Sequence, residues 1–317
     1  MELLPILKGA ATYIPLLYRA ERGSTGGSVD ARYCYSVWLR HLKLMHEGGL
    51  RTQFATVAEL GPGDSLGIGL AALLCGADRL YALDVVRYAD LGRNTAVLNG
   101  LVDLFRQRAA IPDDSEFPEL RPRLADYSFP HEALTDAQIE AAIAPARVAA
   151  IGRALKGEHS PIVVSYKVPW TELAAGEEGS IDLVLSQAVL EHVEDLEWTY
   201  RALGRWVAPG GVMSHVIDHR SHKLTRDWDG HLAYSPTVWR IVKGRRPYLL
   251  NREAPQRHLL LLEQAGFRAT RVHRELAQRW LPREQLSGRF KQWSDEDRRT
   301  SGLVVQAVRR DSPQEAR

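Results

Sequence analysis

Glu59, Gly61, Gly63 and Asp84 are the residues of this sequence whose types and spacing could do chemistry together. They lie in "VAELGPGDSLGIGLAALLCGADRLYALDVV", residues 57–86, where an acid precedes a glycine turn and a second acid follows Gly63 by 21 residues. A glycine loop between a strand and a helix brings backbone N–H groups close to an anionic ligand. An acid at the tip of the next strand can accept hydrogen bonds from a sugar diol. Pro62, Gly67 and Val85 complete the candidate cofactor loop. Two cofactor types could use it. A dinucleotide needs G-x-G-x-x-G, the third glycine letting the helix pack on the strand. Here Leu66 holds that third position and Gly67 comes one residue late. Glu59 would also repel a diphosphate, yet suits an ammonium. S-adenosylmethionine carries an amino-acid end and a sulfonium but no phosphate, so the loop favours it over a nicotinamide dinucleotide.

The elements that must hold these residues follow from periodicity. "FATVAEL" and "DRLYALDVV" read as strands and "SLGIGLAALLCG" as the helix between them, a parallel strand–helix–strand unit. Ahead of it, Tyr35, Trp38, Leu39, Leu42 and Met45 recur at helical spacing in residues 31–48. Residues 103–160 break the pattern with five prolines and read as an insertion, an irregular segment followed by a helix at about 135–155. "PIVVSYKVPW" and "SIDLVLSQ" resume the strands; "WTYRALGRWVAPGG" is a helix with a glycine exit, and "GVMSHVID" the strand after it. A long connection, 219–258, precedes a helix and a closing pair of strands. The expected fold is α/β: a doubly wound, seven-stranded, mostly parallel sheet. Residues 1–50 form an N-terminal helical cap, 51–310 the main domain with insertions at about 103–160 and 219–258, and 311–317 a tail.

Bulk properties narrow the function classes. At 45% hydrophobic and 25% charged residues the chain is ordinary for a soluble protein, and its net charge of +2 gives no case for general nucleic-acid binding. Two cysteines make neither a disulfide framework nor a tetrahedral metal site. The apolar N-terminus is interrupted by Glu2, Pro5, Lys8 and Pro15, which argues against a signal peptide. No uncharged run approaches the roughly 20 residues of a spanning helix. A cytoplasmic protein is expected; the oligomeric state is left open.

"ELGPGDSLGIG", the acid of "LDVV", and "IDLVLSQAVLEHVEDLEWTYRALGRWVAPGG" together resemble the class I S-adenosylmethionine-dependent methyltransferases. The motif-bearing resemblance covers about residues 55–218, and strand order extends it to about 310. It implies that Glu59, Gly61 and Gly63 line the methionine portion of the cofactor, that Asp84 binds the ribose, and that Ser186 and Gln187 border the reacting methyl group. One position departs. Many relatives carry an acid after the third strand for the adenine amino group, where this chain has Ser165 and Tyr166. Tyr166 is therefore assigned to the adenine, by its ring face or hydroxyl, with Asp126 of the insertion as another candidate.

Methyl transfer to a hydroxyl needs alignment, exclusion of water and removal of a proton. Candidate bases are His192 in "LEHV" and Asp218 and His219 in "HVIDHRSH". His215, Asp218, His219 and His222 also suggest a metal, but strand alternation turns His215 and Asp218 apart, and no metal is assigned. The 219–258 connection holds nine Lys/Arg against three acids, a local +6, interleaved with Trp228, Tyr234, Trp239 and Tyr248. Arg220, His231, Arg245 and Arg246 are its candidate acceptor contacts. Such a lid suits an anionic or sugar-like small molecule. A nucleic-acid acceptor is disfavoured, because "SQAVLE" stands where base-modifying enzymes carry an Asp/Asn-Pro-Pro-aromatic stretch. The expected activity is methyl transfer to an oxygen or nitrogen of a small polar acceptor. The other reading is a non-catalytic, cofactor-binding module acting through a protein partner.

Overall fold

Alternation along each strand sends side chains to opposite faces of a sheet, and both faces here are apolar, so helices must cover both. The computed structural model, in which residues 2–14, 28–170, 177–246 and 248–310 are described, has that arrangement. The part of the cap at 15–27 and the tail 311–317 lie outside the described residues. The elements are α1 (Leu4–Ala11), α2 (Ala31–Glu47), β1 (Thr56–Leu60), α3 (Gly67–Leu73), β2 (Arg79–Leu83), α4 (Leu91–Gln107), α5 (Asp136–Ala142), α6 (Pro145–Leu155) and β3 (Val163–Lys167). They continue with β4 (Ile181–Gln187), α7 (Leu196–Trp206), β5 (Val207–Asp218), α8 (Pro236–Lys243), α9 (Pro255–Gln264), β6 (Phe267–Leu276), α10 (Asp295–Arg299) and β7 (Thr300–Arg309).

The sheet order is β3-β2-β1-β4-β5-β7-β6. Strands β1 to β5 pair in parallel, and β7 runs antiparallel between β5 and β6. The chain reverses direction across the sheet between β1 and β4, so the tips of β1, β2 and β4 frame the crevice where ligands bind in such folds. Val57, Leu80, Leu183 and Val212 face one layer with α2, α3, α4 and α6; Ala58, Tyr81, Val184 and Met213 face the other with α7 and α9.

Three expectations need adjustment. The helix expected at 135–155 is two helices, because Pro145 has no N–H for a continuing ladder and instead opens α6 at its first turn. Pro209-Gly210-Gly211 is not a helix exit: β5 already starts at Val207 and the three residues sit in an irregularity of its pairing with β4. And α2 is not merely a cap. Asp30 caps it through the Arg32 N–H, and Tyr35, Val37, Trp38, Leu39, Leu42 and Met45 are buried in the main core against α3 and α4. The irregular insertion has its own device, Arg40 on α2. This fully buried guanidinium donates to the carbonyls of Pro112 (3.1 Å) and Pro122 (2.5 Å), pinning a segment that has no ladder of its own.

Candidate functional site

The glycine loop leaves β1 with Gly61 at φ +63° and Gly63 at φ +72°, the left-handed region that costs glycine little. The Gly61 N–H donates to the Leu83 carbonyl (2.8 Å), tying the loop to β2. A Cβ at Gly61 would lie 2.6 Å from Cγ2 of Val189, so the tip of β4 also requires glycine there. Asp84 closes the cradle. Its Oδ1 accepts from Val85 N–H (2.7 Å) and Val86 N–H (3.4 Å), its Oδ2 from Gly63 N–H (3.3 Å). Burial raises its pKa against these hydrogen bonds. With one bond on Oδ2, that oxygen keeps a lone pair for a further donor. Pro62 is buried beside it and Val85 is half-buried.

The start of α3 decides between the two cofactor types. Ser65 N–H donates to Ser28 Oγ (3.1 Å), Leu66 N–H to Asn94 Oδ1 (2.9 Å), Gly67 N–H to Ser65 Oγ (3.1 Å) and Gly69 N–H to Glu59 Oε2 (2.8 Å). A diphosphate would need these donors, and side chains already hold them. Two assignments change with this. Glu59 does not line an open cofactor pocket; its carboxylate, 1% exposed, is turned under α3, and burial pushes its pKa up to about 8. Gly67 serves packing rather than cofactor contact, since a Cβ there would overlap Cys34 Sγ and approach Val97 Cγ1 to 2.7 Å. Gly67→Ala is therefore expected to lower stability by about 1–3 kcal/mol, the usual cost of overpacking, readable as a lower urea midpoint with unchanged secondary structure. Neither Ser28 nor Asn94 carried a sequence signal, since each is a single polar residue far from the loop.

Tyr166, on β3 beside β2, receives a hydrogen bond from Tyr88 N–H at its hydroxyl (3.2 Å), and Arg87 lies 4.5 Å from its ring centre. Asp126 is elsewhere, paired with Lys43 and bonded by Ser128 N–H, which excludes it from the cradle. Gln187 does not reach toward the cofactor loop: its amide nitrogen donates to the Arg121 carbonyl (3.1 Å) and its oxygen meets His41 Nε2 (3.3 Å). It ties the insertion to α2. Ser186 is fully buried and bonded to His215 Nδ1 (2.8 Å).

Beside the tip of β4 opens a cavity of about 710 Å³, walled by Tyr33, residues 116–123, Gln187, Ala188, residues 216–218, Arg220, His222, Lys223 and the ends of β6 and β7. Its formal charges balance: Arg121, Arg123, Arg220 and Lys223 against Glu116, Glu119, Asp218 and Glu275. Arg121 pairs with Glu275 (2.7 Å), while Arg220 grips Asp218 with two parallel hydrogen bonds (2.9 and 2.8 Å) and also meets Glu119. So Arg220 is at the cavity, already engaged. Sequence reasoning missed Arg121 and Glu275, which are joined only by the packing of the insertion on β6.

Apart from Arg220 and Lys223, the lid cations do not line the cavity. Lys243 pairs with Glu194 and Arg257 with Glu197. Arg252 is buried between the Trp239 and Phe290 rings and donates to the His231 and Tyr234 carbonyls. Arg245 lies over Tyr13, and Arg246 donates to the Val242 carbonyl, both where α8 packs on α1. His231 is buried beside Trp239, and burial pulls its pKa down to about 3. His231, Arg245 and Arg246 thus stand away from the cavity, and of the lid's cations Arg220, Lys243 and Arg257 are met by acids outside the connection while Arg252 is buried within it.

Of the three candidate bases, Asp218 lines the cavity and His192 stands behind it, packed against His222. Burial alone would raise the pKa of Asp218, but hydrogen bonds from His222 and Arg220 hold it below the usual carboxylate range. His192 donates from Nδ1 to the Tyr248 carbonyl (2.8 Å) and sets its ring edge on His222 at 5.0 Å. Burial lowers its pKa to about 4, so it is neutral at pH 7. His219 is half-buried, its ring 5.7 Å from that of His258, and it lines a separate small pocket rather than the large cavity. His222, which the sequence suggested only as a metal ligand, takes its place: it lines the cavity with Nε2 3.3 Å from Asp218 Oδ2. His215 is held within the sheet, so the four-residue metal set considered from sequence is not assembled.

A family model described as methyltransferase domain matches residues 141–214. A ubiquinone biosynthesis O-methyltransferase from Methylocella silvestris is 37% identical over 66 residues, 21% of this chain and 26% of that protein. The match spans about a quarter of that relative's length. Among solved structures, an S-adenosylmethionine-dependent methyltransferase from Methanosarcina mazei has 12% identity, covers 85% of this chain and 98% of its own, and has a TM-score of 0.45. One from Mesorhizobium loti has 13% identity, coverages of 85% and 96%, and a TM-score of 0.42. No helix of the described residues is long and apolar enough to cross a membrane.

Proposed function

We propose that the chain is a class I S-adenosylmethionine-dependent methyltransferase, a reading supported by the methyltransferase-domain match over residues 141–214 and by the sheet order, and that it methylates an oxygen or nitrogen of a small polar molecule held in the cavity at the tip of β4. The observation that carries this reading is the cradle itself. Asp84 stands with free acceptor capacity beside two left-handed glycines, while the helix N–H groups a dinucleotide would need are occupied by Glu59, Ser65, Asn94 and Ser28. Gly61, Gly63 and Asp84 would hold the methionine and ribose portions, with Tyr166 toward the adenine. S-adenosylmethionine supplies an activated methyl group when bound. The chain's own task is then to exclude water and aim the acceptor, and His222 and Asp218 at the cavity wall, with His192 behind His222, are the groups to orient it or take up its proton.

The charge balance of the cavity supports a neutral polar acceptor over a strongly anionic one, with Lys223 left as the cavity cation that has no ion-pair partner among the described residues. The test is S-adenosylhomocysteine formation across matched acceptor panels: phenols and sugars, amines, and their phosphorylated or carboxylated counterparts. Turnover with a neutral member and little with its phosphorylated counterpart is the expected result. Binding of S-adenosylmethionine with no product from any panel would favour the non-catalytic module instead.

A further inference from the structure

We propose that Glu191, His192 and His222 form a binding site for a divalent transition-metal ion just behind the cavity wall, with His222 as the member that lines the cavity. One carboxylate oxygen of Glu191 and one ring nitrogen from each histidine lie within 4.8 Å of one another, the span of a shared ion. Glu191 is the residue that asks for one. It is 3% exposed, and its carboxylate has no side-chain hydrogen-bond partner among the described residues, only backbone N–H groups, its own and that of Asp218, near it. The nearest charged-type partner is His222 Nε2 at 3.7 Å. A buried carboxylate is normally paired, hydrogen-bonded or ligating a metal.

The histidines are prepared for that role. The Tyr248 carbonyl can only accept, so His192 Nδ1 carries the proton and Nε2 presents its lone pair. A backbone carbonyl on the second nitrogen is the usual way a ligating histidine is oriented. Asp218 Oδ2 lies 3.3 Å from the same His222 Nε2 that faces Glu191, so an ion there would replace the His222–Asp218 hydrogen bond and meet Asp218 as a further carboxylate; the charge of Arg220 beside it is already met by Asp218 and Glu119. His222 and Tyr248 both adopt left-handed backbone conformations, φ +49° and +59°, uncommon outside glycine, and each contributes a part of the cluster. Two imidazoles with a carboxylate suit Zn²⁺, Co²⁺, Fe²⁺ or Mn²⁺; Mg²⁺ and Ca²⁺ prefer oxygen alone.

An ion here would stand beside the proposed acceptor, since His222 also lines the cavity. Any part in catalysis rests on the methyl-transfer reading, but the binding does not. The probe is Co²⁺, titrated into the untagged, chelator-treated full chain and followed by its visible absorption, with Zn²⁺ as competitor. One ion per chain is expected, displaced by Zn²⁺. His192→Ala and His222→Ala should each weaken binding by about 100-fold and Glu191→Gln by at least about 10-fold, while His159→Ala, at an exposed histidine, changes nothing. Glu191→Gln keeps the side-chain shape, and an unchanged melting curve of its metal-free form separates lost ligation from lost folding. No stoichiometric Co²⁺ uptake, or uptake insensitive to all three substitutions, overturns the site. Co²⁺ uptake by a chain that transfers no methyl group keeps the site and removes the activity.

Discussion

Asp84→Asn is expected to weaken S-adenosylmethionine binding by roughly 100-fold or more, measured by calorimetry. The carboxylate is already fixed by three backbone donors from Gly63, Val85 and Val86, so it meets an incoming diol with little ordering left to do. Hydrogen bonds to a charged acceptor contribute about 1.5–3 kcal/mol each, and 1.4 kcal/mol is tenfold in affinity. Asparagine keeps the shape but loses the charge and turns one acceptor into a donor facing another donor. The fold should tolerate the change, because burial already disfavours the ionised form of Asp84. Binding lost with the melting temperature intact is the expected pair of results. Unchanged affinity would take Asp84 out of the cradle.

Glu59→Gln is expected to stabilise the protein at pH 8 and leave it unchanged near pH 4.5. Desolvation under α3, with the Asp84 charge adding and the Gly69 N–H opposing, pushes the Glu59 pKa up from 4.5 to about 8. Between those values the unfolded chain has released the proton that the folded chain retains, so stability falls as pH rises through the window. Below about pH 4.5 both states hold the proton and the penalty vanishes. Glutamine resembles the neutral carboxyl, can still accept from Gly69 N–H, and never ionises. At 1.36 kcal/mol per unit of pKa, the advantage of the variant at pH 8 should reach on the order of 4 kcal/mol. Urea midpoints of both proteins at pH 5 and pH 8 measure it. A difference of the same size at both pH values would mean that the carboxyl does not titrate abnormally.

Periodicity and punctuation carried much of the fold. Alternating apolar strands, the glycine turn after Leu60 and the acid at position 84 were enough to predict a doubly wound, seven-stranded, mostly parallel sheet, though not its strand order, because they are local consequences of backbone sterics and of covering two apolar faces. The same local text named Asp84, Gly61 and Gly63 and placed His192 and Asp218 near one another, since residues at the tips of neighbouring parallel strands must converge. Direction was beyond it. Glu59 sits where the sequence put it, yet its carboxylate points under α3, because a buried N–H at Gly69 competes for it. The lid's cations could be counted but not placed: charge in a segment says nothing of which acids the fold brings opposite, and Glu194, Glu197 and Glu119 come from other elements. Gln187 and Arg40 were likewise given their tasks by a non-repeating insertion whose carbonyls needed donors. What local sterics and hydrophobic periodicity dictate can be read from the chain. Which buried polar group satisfies which other depends on contacts between residues tens to hundreds of positions apart, and only the packed structure decides them.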